Sequence, residues 1–169
     1  MADFLQAYES MIRNEGGYKL TNVAGDRGGM TYAGIARNMN PTWPGWAEID
    51  QGEIPDVKVV RRFYRTNFWT PVRGKDIVNQ DVARNIFDFA VNAGVTTSVR
   101  LAQTVAGATP DGKFGPLTLA AINAMNPQLF VPAFALAKIA RYRDIVTKDS
   151  TQQKFLLGWI NRVLREAAV

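Results

Sequence analysis

A stripe of helical period opens the chain and constrains its fold more than any other feature. Its members are Phe4, Tyr8, Met11 and Glu15, and Leu5 and Ile12 widen the same face. Spacings of four and three residues place side chains on one side of an α-helix, which has about 3.6 residues per turn. Asp3 is a suitable N-cap, and the glycines that follow Glu15 are typical of a helix end. The sequence therefore predicts a core helix from Asp3 to Asn14 or Glu15.

Glu15 is the charged member of this otherwise apolar stripe. Burial disfavours an ionised carboxyl group and raises its pKa, and Gly16 and Gly17 leave open space beside it. A carboxyl group that keeps its proton near neutral pH can act as the general acid of glycoside cleavage. The alternative is a helix-end carboxylate that turns to water. Because Asp26 and Thr31 follow closely, we favour the catalytic interpretation.

The chain has neither cysteine nor histidine among its 169 residues. These absences exclude disulfides, thiol nucleophiles, Ser-His-Asp and Cys-His catalysis, and the usual zinc sites of hydrolases. Of the enzymes that cut bacterial cell walls, only glycosidases work with carboxylates alone. We therefore expect no metal and no cofactor.

The net charge is +5 with a pI near 9.7, which favours attraction to a polyanion or reflects a solvated surface. Cell walls, anionic lipids and nucleic acids all fit this charge. The lysines and arginines are scattered and have no aromatic stacking platform, which argues against a nucleic-acid binder. No apolar run reaches the roughly 20 residues of a membrane span, and Met1–Leu5 does not resemble a signal peptide.

The rest of the chain predicts further helices around one short β-hairpin, at about residues 18–30. The predicted helices are Thr31–Met39, Ala47–Gln51, Asp56–Phe68, Asp81–Asn92, Thr97–Val105, Pro116–Met125, Pro127–Thr147 and one from a Ser150 capping box. In the helix after Pro127 we expect Lys138, Arg141 and Arg143 on the solvent side. The predicted fold class is mainly α.

Several blocks resemble glycoside hydrolase family 108, the phage-type N-acetylmuramidases that cut peptidoglycan. They are Glu15-Gly16-Gly17-Tyr18, Gly25-Asp26-Arg27-Gly28-Gly29-Met30-Thr31-Tyr32-Ala33-Gly34-Ile35, Asp88–Gly94, Asp111–Pro116 and Gly158–Val163. The resemblance covers nearly the whole chain. It implies a lysozyme-like helical fold with the β-hairpin beside the catalytic glutamate. It also implies a catalytic lobe at residues 1–78 and a helical, peptidoglycan-binding lobe at residues 79–169, packed as one unit.

The resemblance implies a catalytic set of Glu15, Asp26 and Thr31, with Glu15 as the general acid. Asp26 is either a second carboxylate, which orients water or stabilises positive charge on the sugar, or a turn residue that bonds its own backbone. Thr31 either holds the attacking water or caps a helix.

The candidate substrate-binding residues are Tyr18, Tyr32, Asp88, Asn92, Tyr142 and Trp159. Asp88 and Asn92 lie one helical turn apart and suggest the wall of a cleft, with a solvated face as the alternative. Tryptophan side chains more often fill a buried core than line a cleft, and we favour the buried position for Trp43, Trp46 and Trp69. The loop at Asp111–Gly115 is interpreted as structural.

We therefore expect an endolysin that hydrolyses the β-1,4 bond between N-acetylmuramic acid and N-acetylglucosamine. The alternative is a basic cell-wall-binding protein with a degenerate, non-catalytic site. The expected partner is the peptidoglycan glycan strand, with no nucleic acid and no stable membrane insertion, and we expect a monomer. Synthesis is expected in the host cytoplasm without a signal peptide, followed by release to the wall in the periplasm.

Overall fold

Eight α-helices and one three-stranded sheet make up the part of the chain that this computed structural model describes, residues 1–14, 16–22 and 28–167. The elements are α1 (Phe4–Asn14), β1 (Leu20–Thr21), β2 (Thr31–Tyr32), β3 (Ile35–Ala36), α2 (Gly45–Asp50), α3 (Val57–Tyr64), α4 (Gln80–Ala93), α5 (Val95–Val105), α6 (Pro116–Ala124), α7 (Pro127–Lys148) and α8 (Gln153–Ala167). A π-helical segment, Arg65–Trp69, continues α3. The mainly α fold class is confirmed.

The opening helix has the predicted buried face. Phe4, Tyr8 and Met11 are buried, and the Asp3 carboxylate accepts a hydrogen bond from the Gln6 backbone N–H at 3.0 Å. Leu5 is 40% exposed, so its prediction as part of the buried face was wrong. The helical period and the cap together account for α1, because an amphipathic helix is stabilised chiefly by the face that it packs.

Two glycines end α1 in a Schellman motif. The Gly17 N–H donates to the Ile12 carbonyl at 2.9 Å, and the Gly16 N–H donates to the Arg13 carbonyl at 3.3 Å. Both glycines have positive φ, +86° and +77°, which other residues adopt only at a cost. The predicted helix end is thus confirmed from the residues on either side, while Glu15 itself lies outside the described residues.

The sheet is antiparallel in the order β1-β2-β3, and it replaces a predicted helix. Thr31 pairs with Thr21 on one side and with Ala36 on the other. Ala33 and Gly34, between β2 and β3, have φ of 49° and 79°, the positive values that a tight hairpin turn requires. The helix predicted for residues 31–39 was wrong because this turn reverses the chain after two residues. The Tyr64 hydroxyl holds the turn by donating to the Ala33 carbonyl at 2.7 Å.

The tryptophans form packed aromatic clusters, as predicted. Trp43 meets Trp46 edge-on, with ring centroids 5.0 Å apart. Trp69, in the π-helical segment, lies edge-on to Phe4 and to Phe87 at 5.8 and 5.5 Å. These contacts join α1, the segment after α3, and α4, and each ring pair adds to the stability that area burial provides.

The central helix of the fold is α4, which begins at Gln80, one residue before the predicted start. Asn79 is its N-cap, and the Asn79 side chain accepts from the backbone N–H groups of Asp81 and Val82. It packs on α1, α5 and α7. Gly94 follows α4 with φ of +88°, as predicted for its end.

The last two helices differ from the prediction in where they begin or end and in the burial of one lysine. Helix α7 continues past Pro132 and ends at Lys148, one residue after the predicted Thr147, and α8 is preceded by a short 3₁₀ turn that Asp149 caps instead of Ser150. Lys138 is fully buried, so its expected position on the solvent side of α7 was wrong.

Among the described residues no single helix is long and apolar enough to cross a membrane. Helices α6 and α7 reach the required length and composition only as a pair bent by 114°.

Candidate functional site

Of the three predicted catalytic residues, the structure describes Thr31; Glu15 and Asp26 lie outside the described residues. Thr31 is the first residue of β2, the central strand of the sheet. Its hydroxyl donates to the Gly29 carbonyl at 3.3 Å, so it caps no helix and that interpretation was wrong. A hydroxyl that donates one hydrogen bond keeps lone pairs that can accept one from water. Its predicted role in holding water stays a prediction.

Tyr18 follows the glycines at the end of α1 and bonds back to that helix. The Tyr18 and Tyr8 hydroxyl oxygens lie 2.8 Å apart. Tyr8 is fully buried, whereas Tyr18 is 40% exposed. Burial, and next the bond to Tyr18, raises the pKa of Tyr8 far above its ordinary value. Tyr18 therefore has one end fixed in the core and a ring accessible to a ligand.

Tyr32, the other tyrosine predicted beside the hairpin, lies in the core. It is 5% exposed and its ring stacks on Trp43, with centroids 6.1 Å apart and planes at 22°. Burial is the main cause that raises its pKa. Its predicted sugar contact stays a prediction. In this position the Tyr32 ring packs β2 against Trp43.

The predicted binding residues of the second half come together in one group. The Tyr142 hydroxyl on α7 donates to the Asn92 amide oxygen on α4 at 3.2 Å. The Tyr142 ring stacks on Trp159 of α8 at 5.0 Å, and Trp159 stacks on Phe155 at 6.0 Å. Tyr142 is buried, while Asn92 and Phe155 are exposed. The three rings thus form a ladder that leads from the core to the surface.

Asp88 lies on α4 one helical turn before Asn92 and is 3% exposed, so the solvated-face alternative was wrong for it. One carboxylate oxygen bonds Arg162 at 3.3 Å, and the other is buried with no partner among the described residues. Burial, and next the neighbouring Glu166 carboxylate, raises the pKa of Asp88 to about 7 against the opposing effect of Arg162 and Lys138. Asp88 therefore acts within the core, and its predicted contact with substrate stays a prediction.

The group around Asp88 is a buried four-charge cluster that the sequence analysis missed. Glu166 bonds Lys138 at 2.6 Å and Arg162 at 2.9 Å, and so joins α7 to α8. The Lys138 ammonium also lies 4.9 Å from the centroid of the Phe134 ring. Desolvation lowers the pKa of Lys138, while the two nearby cations and Asp88 lower that of Glu166 despite its burial. Two cations thus face two carboxyl groups here, of which Asp88 has the raised pKa.

The loop at Asp111–Gly115 is built around Gln103, a buried residue of α5 that the sequence analysis also missed. The Gln103 amide donates to the Asp111 carboxylate at 2.7 Å, and its oxygen accepts from the Gly112 N–H at 2.8 Å. The Asp111 carboxylate also accepts from the Lys113 N–H at 2.8 Å. These bonds use the polar groups of the loop internally, in agreement with a structural role.

Within residues 1–14, 16–22 and 28–167 no three Asp, Glu, His or Cys side chains gather closely enough to hold a metal ion.

A mainly helical fold with a small antiparallel sheet after the first helix is lysozyme-like. Lysozyme-like folds belong to the class of glycoside hydrolases. The profile described as Glycosyl hydrolase 108 matches residues 8–94, and that described as a predicted peptidoglycan domain matches residues 97–164. The chain belongs to the glycosyl hydrolase 108 family and carries a peptidoglycan-binding half. It is a glycoside hydrolase that acts on peptidoglycan.

A solved structure supports the same assignment. The chain is similar to Brucella abortus SagA, with a TM-score of 0.74 and 26% identity over 98% of this chain and 91% of that one. No curated protein matches the sequence.

The two profile matches meet between residues 94 and 97, just after α4. The predicted division at residues 78 and 79 falls just before α4. Since α4 packs on α1 and on α7, it belongs structurally to both halves. The division stays a prediction.

Proposed function

We propose that the protein is an N-acetylmuramidase of the endolysin type. It hydrolyses the β-1,4 bond between N-acetylmuramic acid and N-acetylglucosamine, with Glu15 as the general acid. The observation that supports this best is the joining of α1 to the small sheet. Helix α1 ends at Asn14, the N–H groups of Gly16 and Gly17 bond back to its last turn, and the chain later returns in β2 with Thr31. The family match at residues 8–94 contains Glu15, Asp26 and Thr31.

In the proposed reaction, Glu15 donates its proton to the glycosidic oxygen as the bond to the muramic acid anomeric carbon breaks. A water molecule attacks that carbon and passes a proton to a carboxylate of the site, either Asp26 or the newly ionised Glu15, so that the muramic acid gains a hydroxyl group and becomes a new reducing end. Asp26 stabilises the positive charge that develops on the sugar or orients the water. The Thr31 hydroxyl is proposed to hold the same water.

Tyr18 and the aromatic ladder are proposed to bind the glycan strand. An aromatic ring offers an apolar face to the C–H face of a sugar and a polar edge to its hydroxyl groups. Tyr18 has an accessible ring beside the end of α1, and Phe155 is the exposed end of the ladder that continues through Trp159 and Tyr142. Tyr32 and Asp88 would act through the residues that they support.

A catalytic lobe at residues 1–78 and a binding lobe at residues 79–169 are proposed to work as one unit. The Phe4 ring of α1 lies 6.0 Å from Phe87 of α4, so the opening helix depends on the second half for its packing. Acting on the wall, the enzyme would lyse cells without a partner subunit.

The competing function is a non-catalytic wall-binding protein. It is tested by incubating the protein with purified peptidoglycan, reducing the products with borohydride and identifying the sugar alcohols. The proposed activity gives muramitol derivatives and no new free amino groups. Glucosaminitol derivatives would identify a glucosaminidase, and free amines that appear with lysis would identify a peptidase. No released fragments at all would favour the wall-binding protein.

A further inference from the structure

Four cations line one face of α3 and the turn that follows it. They are Lys58, Arg61, Arg62 and Arg65, and we call them the basic stripe. Their spacing of three, one and three residues keeps them on one side of the helix over about 10 Å of its length. With Leu5 of α1 they line a cavity of about 320 Å³. The cavity wall is thus almost entirely positively charged.

The basic stripe has no carboxylate within 4 Å among the described residues. Five other arginines do have such a partner, for example Arg37 with Asp50 at 2.7 Å. Four like charges placed together without counterions repel one another, so the arrangement costs folding free energy unless an anion binds. The basic stripe therefore attracts an anion from outside the protein.

Two of the four cations are held in place by aromatic rings of α1. The Arg61 guanidinium lies 5.7 Å from the centroid of the Tyr8 ring, and that of Arg65 lies 4.5 Å from the centroid of Phe4. Such contacts orient a guanidinium and leave its N–H groups free to donate. The Arg61 Nε is buried and has no hydrogen-bond partner among the described residues. An acceptor from a ligand would satisfy it.

The stripe is connected to the strand that carries Thr31. Arg62 also lines a second cavity of about 380 Å³, together with Trp43 and Phe63. Trp43 stacks on Tyr32, the neighbour of Thr31 in β2. A ligand on the stripe would therefore lie one layer of side chains away from the sheet of the candidate active site.

We infer that the basic stripe binds carboxylate groups of the peptide stems that peptidoglycan carries on its muramic acid residues. The inference rests on the proposed function only in taking peptidoglycan as the polymer. A glycan strand presents these carboxylates repeatedly, and guanidinium groups bind carboxylates through two parallel hydrogen bonds. The stripe would thus bind peptide-bearing strands while the sugar backbone enters the site after α1.

The test measures binding to purified sacculi that have been freed of lipid and protein. Every protein carries Glu15→Gln, so that the polymer stays intact and the result does not depend on catalysis. The stripe variant is Lys58→Met with Arg62→Met, since both side chains are exposed and neither lies over a ring. The matched control is Arg100→Met with Arg165→Met, which removes the same charge from exposed positions on α5 and α8. Half of the sacculi have their carboxylates amidated with carbodiimide and glycinamide.

We expect the stripe variant to bind untreated sacculi about 10-fold more weakly, because each exposed ion pair contributes roughly 1.5- to 5-fold in affinity and the variant removes two of them. Amidation should weaken the parent and the control by similar factors and weaken the stripe variant by a clearly smaller factor, because only Arg61 and Arg65 of the stripe remain in it. A stripe variant that binds like the control, or that loses as much affinity on amidation as the control does, would overturn the inference.

A second binding experiment uses vesicles of phosphatidylglycerol, to test whether the stripe binds lipid phosphates instead. Vesicle binding that is lost in the stripe variant, with sacculus binding unchanged, would assign the stripe to lipid phosphates and contradict the inference. If the stripe binds carboxylates but the wild-type enzyme, with Glu15 intact, releases no muramitol products, the proposed function fails and this inference stands.

Discussion

The hydroxyl groups of Tyr8 and Tyr18 lie 2.8 Å apart and tie the chain after Gly16 and Gly17 to the buried face of α1. Tyr8 is fully buried and Tyr18 is 40% exposed. The bond therefore spans the boundary between the core and the surface on which we place the substrate. It fixes the segment that follows the candidate acid without using a catalytic group.

This pair predicts an unequal response to removing either hydroxyl. Tyr18→Phe leaves the Tyr8 hydroxyl buried without its partner, which costs about 1–3 kcal/mol of unfolding free energy. Tyr8→Phe leaves the Tyr18 hydroxyl at the surface, where water replaces the bond, so we expect a loss below about 1 kcal/mol. Urea unfolding of the two variants measures the difference. Equal losses would show that the bond is not what stabilises this segment.

The features predicted from sequence were those set by neighbouring residues. The α1 stripe, its Asp3 cap and its glycine end lie within one short segment, and so each was predictable from spacing and residue type. Thr31 was assigned to a helix because its local signal is a cap. The strand is fixed by the Ala33–Gly34 turn and by the hydroxyl of Tyr64, 31 residues away from Ala33. No local pattern contains that bond.

Lys138 illustrates the same limit in the second half. A lysine on a long helix is ordinarily solvated, and the periodicity of α7 gives no reason to bury it. Burial becomes possible because Glu166, 28 residues later, accepts its hydrogen bond at 2.6 Å. Tyr142 and Asn92 were both proposed from the sequence as substrate-binding residues. The hydrogen bond between them, however, appears only in the structure.

The buried cluster predicts that removing the Glu166 carboxylate lowers the unfolding free energy more than removing the Lys138 ammonium. Glu166→Leu leaves Lys138 without its carboxylate partner in the core, and breaking a buried pair in this way costs about 3–5 kcal/mol. Lys138→Met costs less, because Glu166 keeps Arg162 at 2.9 Å and methionine fills similar space. Chemical denaturation compares the two. A larger loss for Lys138→Met would mean that the packing of the lysine stem, not its charge, holds α7 against α8.

Asp88 predicts a pH dependence of stability. Its pKa is raised from 3.8 to about 7, so between these values the folded state binds a proton more tightly than the unfolded state. The contribution of Asp88 to stability is therefore fully present below about pH 4, falls as the pH rises, and levels off above about pH 7. Asp88→Asn cannot ionise and should lack this slope.

Unfolding free energies of the parent and Asp88→Asn at several pH values from 4 to 8 measure the effect as a difference between the two curves. The difference cancels the titration of groups that do not contact Asp88, and it includes the response of Glu166, whose pKa depends on Asp88. A constant difference across this range would show that Asp88 is ionised throughout, paired with Arg162.

The last prediction concerns Glu15, on which the proposed chemistry depends. Glu15→Gln keeps the size and shape of the side chain but removes the proton donor, so hydrolysis of peptidoglycan should fall by about 10²- to 10⁴-fold. The matched control is Glu9→Gln, an exposed glutamate of the same helix, which should retain parental activity. Reducing ends released from purified peptidoglycan give the rate, and thermal unfolding shows whether each variant is folded. Full activity in Glu15→Gln would remove this residue as the acid. Loss of activity together with a much lower melting temperature would instead identify Glu15 as a structural carboxylate, and a loss in Glu9→Gln as well would point to the charge of α1.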